Sequence, residues 1–177
     1  MRTLVKVGFM ALVLLPCAEA EGPAPVGAAE VCFTLAGEDC GAFAVARIDA
    51  ARRTLLVQAY NFTEPRIVAA VIAAARRGVA VTVLIDKITA YQRGEGVDAV
   101  AAAGIPTFVD ASPRIAHNKV MVIDGETVLT GSFNWSVSAE RVNAENLLAL
   151  RSPALAAYYA ENFARRRSLS TAYVRAE

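Results

Sequence analysis

No apolar run in this chain of 177 residues approaches the roughly 20 that a membrane-spanning helix needs. The longest, Val7 to Leu15, is about half that length. Charge of either sign is also scarce. Charged residues make up 20%, 18 basic against 17 acidic, for a net charge of +1. That balance argues against a broad basic surface that coats DNA and leaves room for a small, locally positive site. Histidine and tryptophan each occur once, and cysteine three times. What the chain has in quantity is apolar side chains, 55% of the total, which excludes disorder for most of its length. The length suits one α/β domain and is too short for two.

The apolar run follows Arg2 and Lys6 and precedes Ala18-Glu19-Ala20. A charged start, a short apolar middle and a small-x-small end describe a secretory signal peptide, residues 1–20. A short N-terminal core helix is the alternative. Leu14-Leu15-Pro16-Cys17 approximates a lipoprotein box, but the proline before the cysteine fits it badly. The chain is therefore expected in the periplasm or secreted, with no stable membrane anchor. Cleavage would remove Arg2, Lys6 and Glu19 and leave a formally neutral protein. Cys17 would leave too. Cys32 and Cys40 remain, an even pair in an exported protein, which favours a disulfide. Closing so short a loop stabilises a fold by roughly 2–3 kcal/mol in the chain-entropy model. Two cysteines and one histidine cannot complete a four-ligand metal site without carboxylates, so no metal is expected. Being far in sequence from the candidate chemistry, the Cys32–Cys40 link is expected to serve stability.

Residues 21–40, with Gly22, Pro23, Pro25 and Gly27 at their start, read as a flexible leader carrying the disulfide loop. The catalytic domain is expected over 41–177. Ala42 to Arg53 has helical spacing, and Thr54 to Tyr60 is a β-branched and apolar run of strand length. Pro65 opens the next helix and Gly78 stops it after Arg76-Arg77. Val79 to Ile85 is a second strand, Val97 to Ala103 a helix ended by Gly104, and Ile105 to Val109 a third strand. This alternation predicts a mixed, largely parallel sheet with helices on both faces. Beyond Pro113, Lys119 to Ile123 and Thr127 to Thr130 flank Asp124-Gly125, a hairpin signal. Leu147 to Leu150 is a further strand. Pro153 to Arg167 is a final helix whose Arg165-Arg166-Arg167 end reads as solvated. No internal repeat is visible.

The chemistry-bearing residues cluster late in the chain. His117 and Lys119 are two apart at the mouth of a strand, so they point the same way. Asp124 ends that strand. The return strand delivers Gly131-Ser132-Phe133-Asn134-Trp135, where Ser132 and Asn134 share a face, and Asn143 and Glu145 repeat the spacing. An imidazole, an ammonium, a hydroxyl, a carboxamide and a carboxylate can thus converge at one edge of one sheet.

The pattern His117-x-Lys119, four residues, Asp124, six residues, Gly131-Ser132-x-Asn134 resembles the signature of the phospholipase D superfamily. Leu55 to Tyr60 with Asn61-Phe62-Thr63, and Val81 to Asp86-Lys87, resemble the framework of its small, exported, single-motif bacterial endonucleases. The resemblance implies phosphodiester hydrolysis through a covalent phosphohistidine on His117, without metal or other cofactor. It further implies that Glu145 holds the rear nitrogen of the histidine and that Asp124 has a supporting catalytic role.

Elementary chemistry agrees. A phosphodiester anion repels anionic nucleophiles, and imidazole, with an ordinary pKa of about 6.5, is largely neutral at pH 7. Lys119, Ser132 and Asn134 can bind the phosphate oxygens as phosphorus becomes five-coordinate. The attacking imidazole cannot also protonate the departing oxygen, so a second acid is needed. With one histidine per chain, that acid must come from another copy, in a twofold homodimer with the site on the axis. The reading is a metal-independent nuclease acting on DNA, and on RNA as a second polymer, with little sequence preference, bound through phosphates. The alternatives are a phospholipase acting on lipid headgroups and a phosphate-binding module that has lost its chemistry.

Overall fold

The computed structural model describes residues 27–91 and 95–174. The expected signal peptide, 1–20, and the start of the leader, 21–26, lie outside the described residues. The strands are β1 (Ala28–Phe33), β2 (Thr54–Ala59), β3 (Ala80–Asp86), β4 (Thr107–Asp110), β5 (Lys119–Ile123), β6 (Thr127–Gly131), β7 (Asn146–Arg151) and β8 (Thr171–Ala172). They form one sheet in the order β1-β7-β6-β5-β2-β3-β4-β8. The helices are α1 (Cys40–Ala50), α2 (Pro65–Arg76), α3 (Lys87–Tyr91), α4 (Glu95–Ala102), α5 (Val137–Arg141) and α6 (Pro153–Ser168).

Strand alternation divides the core into two layers. On one face, Leu55, Val57, Val83, Met121 and Leu129 pack with Ile48 of α1, Ile67 and Val71 of α2, and Val97 and Val100 of α4. On the other, Leu56, Val120, Val122 and Val128 pack with Leu155, Ala156 and Tyr159 of α6. Each large apolar side chain so buried contributes about 1.5–3 kcal/mol. The sheet is mixed and covered on both faces, as the alternation predicts.

Its balance differs from the largely parallel one expected. The pairings β2–β3 and β3–β4 are parallel and the other five are antiparallel. Parallel neighbours need a crossover, which α2 and α4 supply, whereas the β5–β6 connection is a tight hairpin. In that hairpin Asp124 and Gly125 both adopt left-handed conformations, φ 56° and 69°.

Residues 21–40 are not a flexible leader throughout. β1 lies along β7 from Ala28↔Arg151 to Phe33↔Asn146, and the Cys32–Cys40 disulfide, with Cα atoms 5.7 Å apart, ties it to the start of α1. The end of α6 is also not simply solvated. Arg166 makes a two-pronged ion pair with the buried Asp110 at 2.6 and 2.7 Å, and the Arg167 guanidinium lies 4.5 Å over the Phe108 ring. Both contacts fasten α6 to β4.

Candidate active site

Lys119 pairs with Ala59, Val120 with Thr130 and Gly131 with Leu147. The start of β5, the ends of β2 and β6 and the start of β7 therefore share one edge of the sheet. An open cleft of about 430 Å³ at this edge is lined by His117, Lys119, Gly131, Ser132, Asn134 and Glu145.

The segment after β6 is aimed by its aromatic residues. Phe133 and Trp135 are completely buried, which turns the alternating Ser132 and Asn134 toward the cleft. Trp135 Nε1 donates to the Gln58 carbonyl at 3.0 Å, and its own carbonyl accepts from the Thr63 and Glu64 N–H groups at 2.8 and 3.0 Å. Gly131 is required by proximity, because a Cβ there would stand 2.2 Å from the Asn146 carbonyl oxygen. That oxygen accepts from the Ser132 and Phe133 N–H groups at 3.1 and 3.2 Å. Ser132 Oγ accepts from Asn146 N–H at 3.1 Å, which leaves the hydroxyl proton to donate. Asn134 Oδ1 is buried without a hydrogen-bond partner.

Lys119 is 7% exposed, and its Nζ donates to the His117 carbonyl at 2.8 Å. Burial pushes its pKa below the ordinary lysine value, and the Glu145 charge partly restores it. His117 is exposed. Its ring meets Tyr60 edge-on, with centroids 4.4 Å apart. Sequence reasoning did not single out Tyr60. The signal that places it in the site is its position one residue beyond Ala59, which pairs with Lys119, and that register is not legible without the sheet.

Two expected roles need correction or revision. Asp124 does not join the cleft. It stands beyond the other end of β5, roughly 17 Å from Lys119 at strand rise. Its carboxylate accepts from the N–H groups of Arg52, Arg53 and Thr54 at 2.9, 2.7 and 2.9 Å. Burial opposes its charge, but these donors and the Arg53 charge outweigh burial and hold its pKa below the ordinary value. A position in the hairpin turn commits the side chain to the neighbouring loop, where it ties β5 to the start of β2. Glu145 does line the cleft, yet among the described contacts no hydrogen bond joins it to the His117 ring. Its Oε1 accepts from Asn143 Nδ2 at 3.0 Å. Among the described residues, the cluster of three metal-capable side chains is Cys32, Glu38 and Cys40, and its two sulfurs are bonded to each other.

Residues 44–167 match the family described as cardiolipin synthase, PLD-like domain. The chain is 38% identical over 141 residues to phospholipase D of Rickettsia prowazekii (strain Madrid E), covering 80% of this chain and 68% of that protein. It is 34% identical over 115 residues to mitochondrial cardiolipin hydrolase of Xenopus tropicalis, covering 65% and 55%. The crystal structure of Nuc, a phospholipase D family member from Salmonella typhimurium, is similar with a TM-score of 0.78 at 33% identity, covering 84% of this chain and 99% of that one. NucT from Helicobacter pylori shares the fold, with a TM-score of 0.71 at 21% identity, covering 82% and 100%. With its fold, its motif-lined cleft and these relatives in agreement, the chain belongs to the phospholipase D superfamily as a small, single-domain phosphodiesterase.

Proposed function

We propose that the chain hydrolyses nucleic acid, DNA foremost and RNA as a second polymer, with little sequence preference, at a site shared by two copies. The observation that carries this reading is the cleft's lining. Every side chain there is polar or charged, and the remaining residue is Gly131. The imidazole, ammonium, hydroxyl, carboxamide and carboxylate gathered there suit a phosphodiester, and the open form of the cleft suits a strand that continues in both directions.

In the proposed reaction a neutral nitrogen of one His117 attacks phosphorus in line. An N–P bond forms and the bond to the departing sugar oxygen breaks. His117 of the second copy, as imidazolium, gives that oxygen its proton. The same imidazole, now neutral, takes a proton from water as the water oxygen attacks phosphorus. The N–P bond then breaks and a phosphomonoester leaves. Lys119, Ser132 and Asn134 bind the non-bridging oxygens, where charge grows in each transition state. Glu145 balances the cationic groups. The disulfide supports an exported protein, periplasmic or secreted, with residues 1–20 as its signal peptide. No helix among the described residues is long and apolar enough to cross a membrane.

A phospholipase reading has its own support. The Rickettsia relatives are called phospholipase D, and Ile115 and Val142 are exposed at 43 and 71% within three residues of His117 and Glu145. A side-by-side assay on plasmid DNA and phosphatidylcholine vesicles, in excess EDTA, separates the two. We expect nicked and linear DNA with the lipid untouched. Cleavage of the lipid alone overturns the nuclease reading, and loss of all activity restored by magnesium or zinc overturns the metal-independent chemistry.

A further inference from the structure

The segment that carries Glu145 is held from an unexpected direction. Thr34, one residue beyond β1, is 5% exposed. Its Oγ1 accepts from the Glu145 N–H at 2.7 Å and donates to the Asn143 carbonyl at 2.7 Å. The Thr34 N–H donates to the Glu145 carbonyl at 3.1 Å. One residue therefore grips both ends of Asn143-Ala144-Glu145 across more than a hundred positions of chain. The grip sets the span over which Asn143 Nδ2 reaches Glu145 Oε1.

Thr34 is itself fixed. The disulfide closes the segment from Cys32 to Cys40, and inside it Phe33 N–H donates to Glu38 Oε2 at 2.6 Å. Leu35, directly after Thr34, is left-handed with φ 62°, a conformation that residues with a Cβ seldom adopt. Such strain persists where surrounding contacts over-determine the backbone, and here those contacts are the disulfide and the three bonds of Thr34.

We propose that Thr34, clamped by the Cys32–Cys40 loop, is a positioning residue that holds the Glu145 carboxylate in the cleft with His117 and Lys119. The inference rests on the proposed role of Glu145. It gives the disulfide a part in the reaction as well as in stability. Three groups stand around the Lys119 ammonium: Glu145 before β7, Tyr60 after β2, and His117 on the approach to β5. Of these, Glu145 supplies the negative charge that opposes the effect of burial on the lysine. A displaced Glu145 leaves the cationic groups of the proposed reaction without their counter-charge, so activity is lost at a lower pH on the alkaline side.

The test measures kcat and KM against pH for the full chain acting on bis(p-nitrophenyl) phosphate, with Thr34→Val, Thr34→Ser, Cys32→Ser/Cys40→Ser and Glu145→Gln variants. Thr34→Val keeps the shape and loses both hydroxyl bonds. We expect its kcat to fall roughly 10- to 100-fold, as for a misplaced catalytic group, with KM little changed and the alkaline limb moved to lower pH. Thr34→Ser should restore both. The double cysteine variant should move the limb in the same direction, and it decides the matter if Thr34→Val does not fold. A residue needed only for stability would lower the active fraction at every pH and leave the limb in place. Limbs unmoved in the folded variants, with Glu145→Gln impaired, overturn the positioning role. Wild-type behaviour of Glu145→Gln overturns the site assignment beneath it.

Discussion

The ring of Tyr60 meets the imidazole of His117 edge-on, with planes inclined by 60°, while the Lys119 ammonium lies 5.1 Å from the centroid of the same ring. One aromatic residue thus stands against both the imidazole and the ammonium of the proposed reaction. An aromatic pair of this kind contributes about 0.5–1.5 kcal/mol beyond its buried area. Among the described residues no carboxylate bonds the histidine ring, and the Tyr60 ring is the contact that restrains it. Tyr60→Ala should lower kcat by about tenfold, close to 1.4 kcal/mol of barrier, with little change in KM. Tyr60→Phe keeps the ring and should stay near wild type. Unchanged turnover in Tyr60→Ala would remove the residue from the site.

The shared site makes a quantitative demand on mixed dimers. His117→Ala homodimers should be inactive, and wild type mixed with His117→Ala should fail as well, because each mixed dimer has one of two required imidazoles. Equal amounts, exchanged to equilibrium, leave about a quarter of the dimers wild type by twofold pairing. Activity per dimer should fall to that fraction. A value near one half, after exchange is verified by mass spectrometry, means that one histidine suffices and ends the composite-site proposal.

Asp124 separates motif membership from chemistry. Asp124→Ala strands the N–H groups of Arg52, Arg53 and Thr54 and should cost about 1–2 kcal/mol of stability, read as a lower melting temperature. Turnover well below that temperature should hold. The carboxyl is held below its ordinary pKa, so its contribution is present above the unfolded-state value and fades as pH falls through the folded one. The stability gap between wild type and variant should therefore close in acid. A loss of kcat of a hundredfold or more in folded Asp124→Ala, roughly what a misplaced catalytic group costs, would return Asp124 to the reaction.

What was legible in the sequence was what is local. β5 has the bounds its apolar run and the Asp124-Gly125 turn imply, and Pro65 and Gly78 mark α2 to within a residue or two. The two-residue spacings of His117 with Lys119 and Ser132 with Asn134 do bring those side chains to one cleft. What depends on a distant partner was not legible. β1 buries one side chain of six, Cys32, and becomes a strand because β7, more than a hundred residues on, supplies its hydrogen bonds. Tyr60 joins the site through the β2–β5 register. Asp110 is buried because Arg166 arrives from the far end of α6. The signature implies a supporting catalytic role for Asp124, whereas the rise of a strand carries it to the opposite end.

Trp135, the sole tryptophan, sits wholly buried between Asn134 and Ser136, with its indole bonded to the strand that leads into Tyr60. The protein thus carries one indole, and it stands directly behind Asn134, which lines the cleft. Excited at wavelengths where tyrosine does not absorb, its emission comes from a single, buried, hydrogen-bonded indole, so a shift to longer wavelength reports water reaching the segment behind the cleft. Spectral changes on adding a phosphodiester can then be read without assigning them among several indoles.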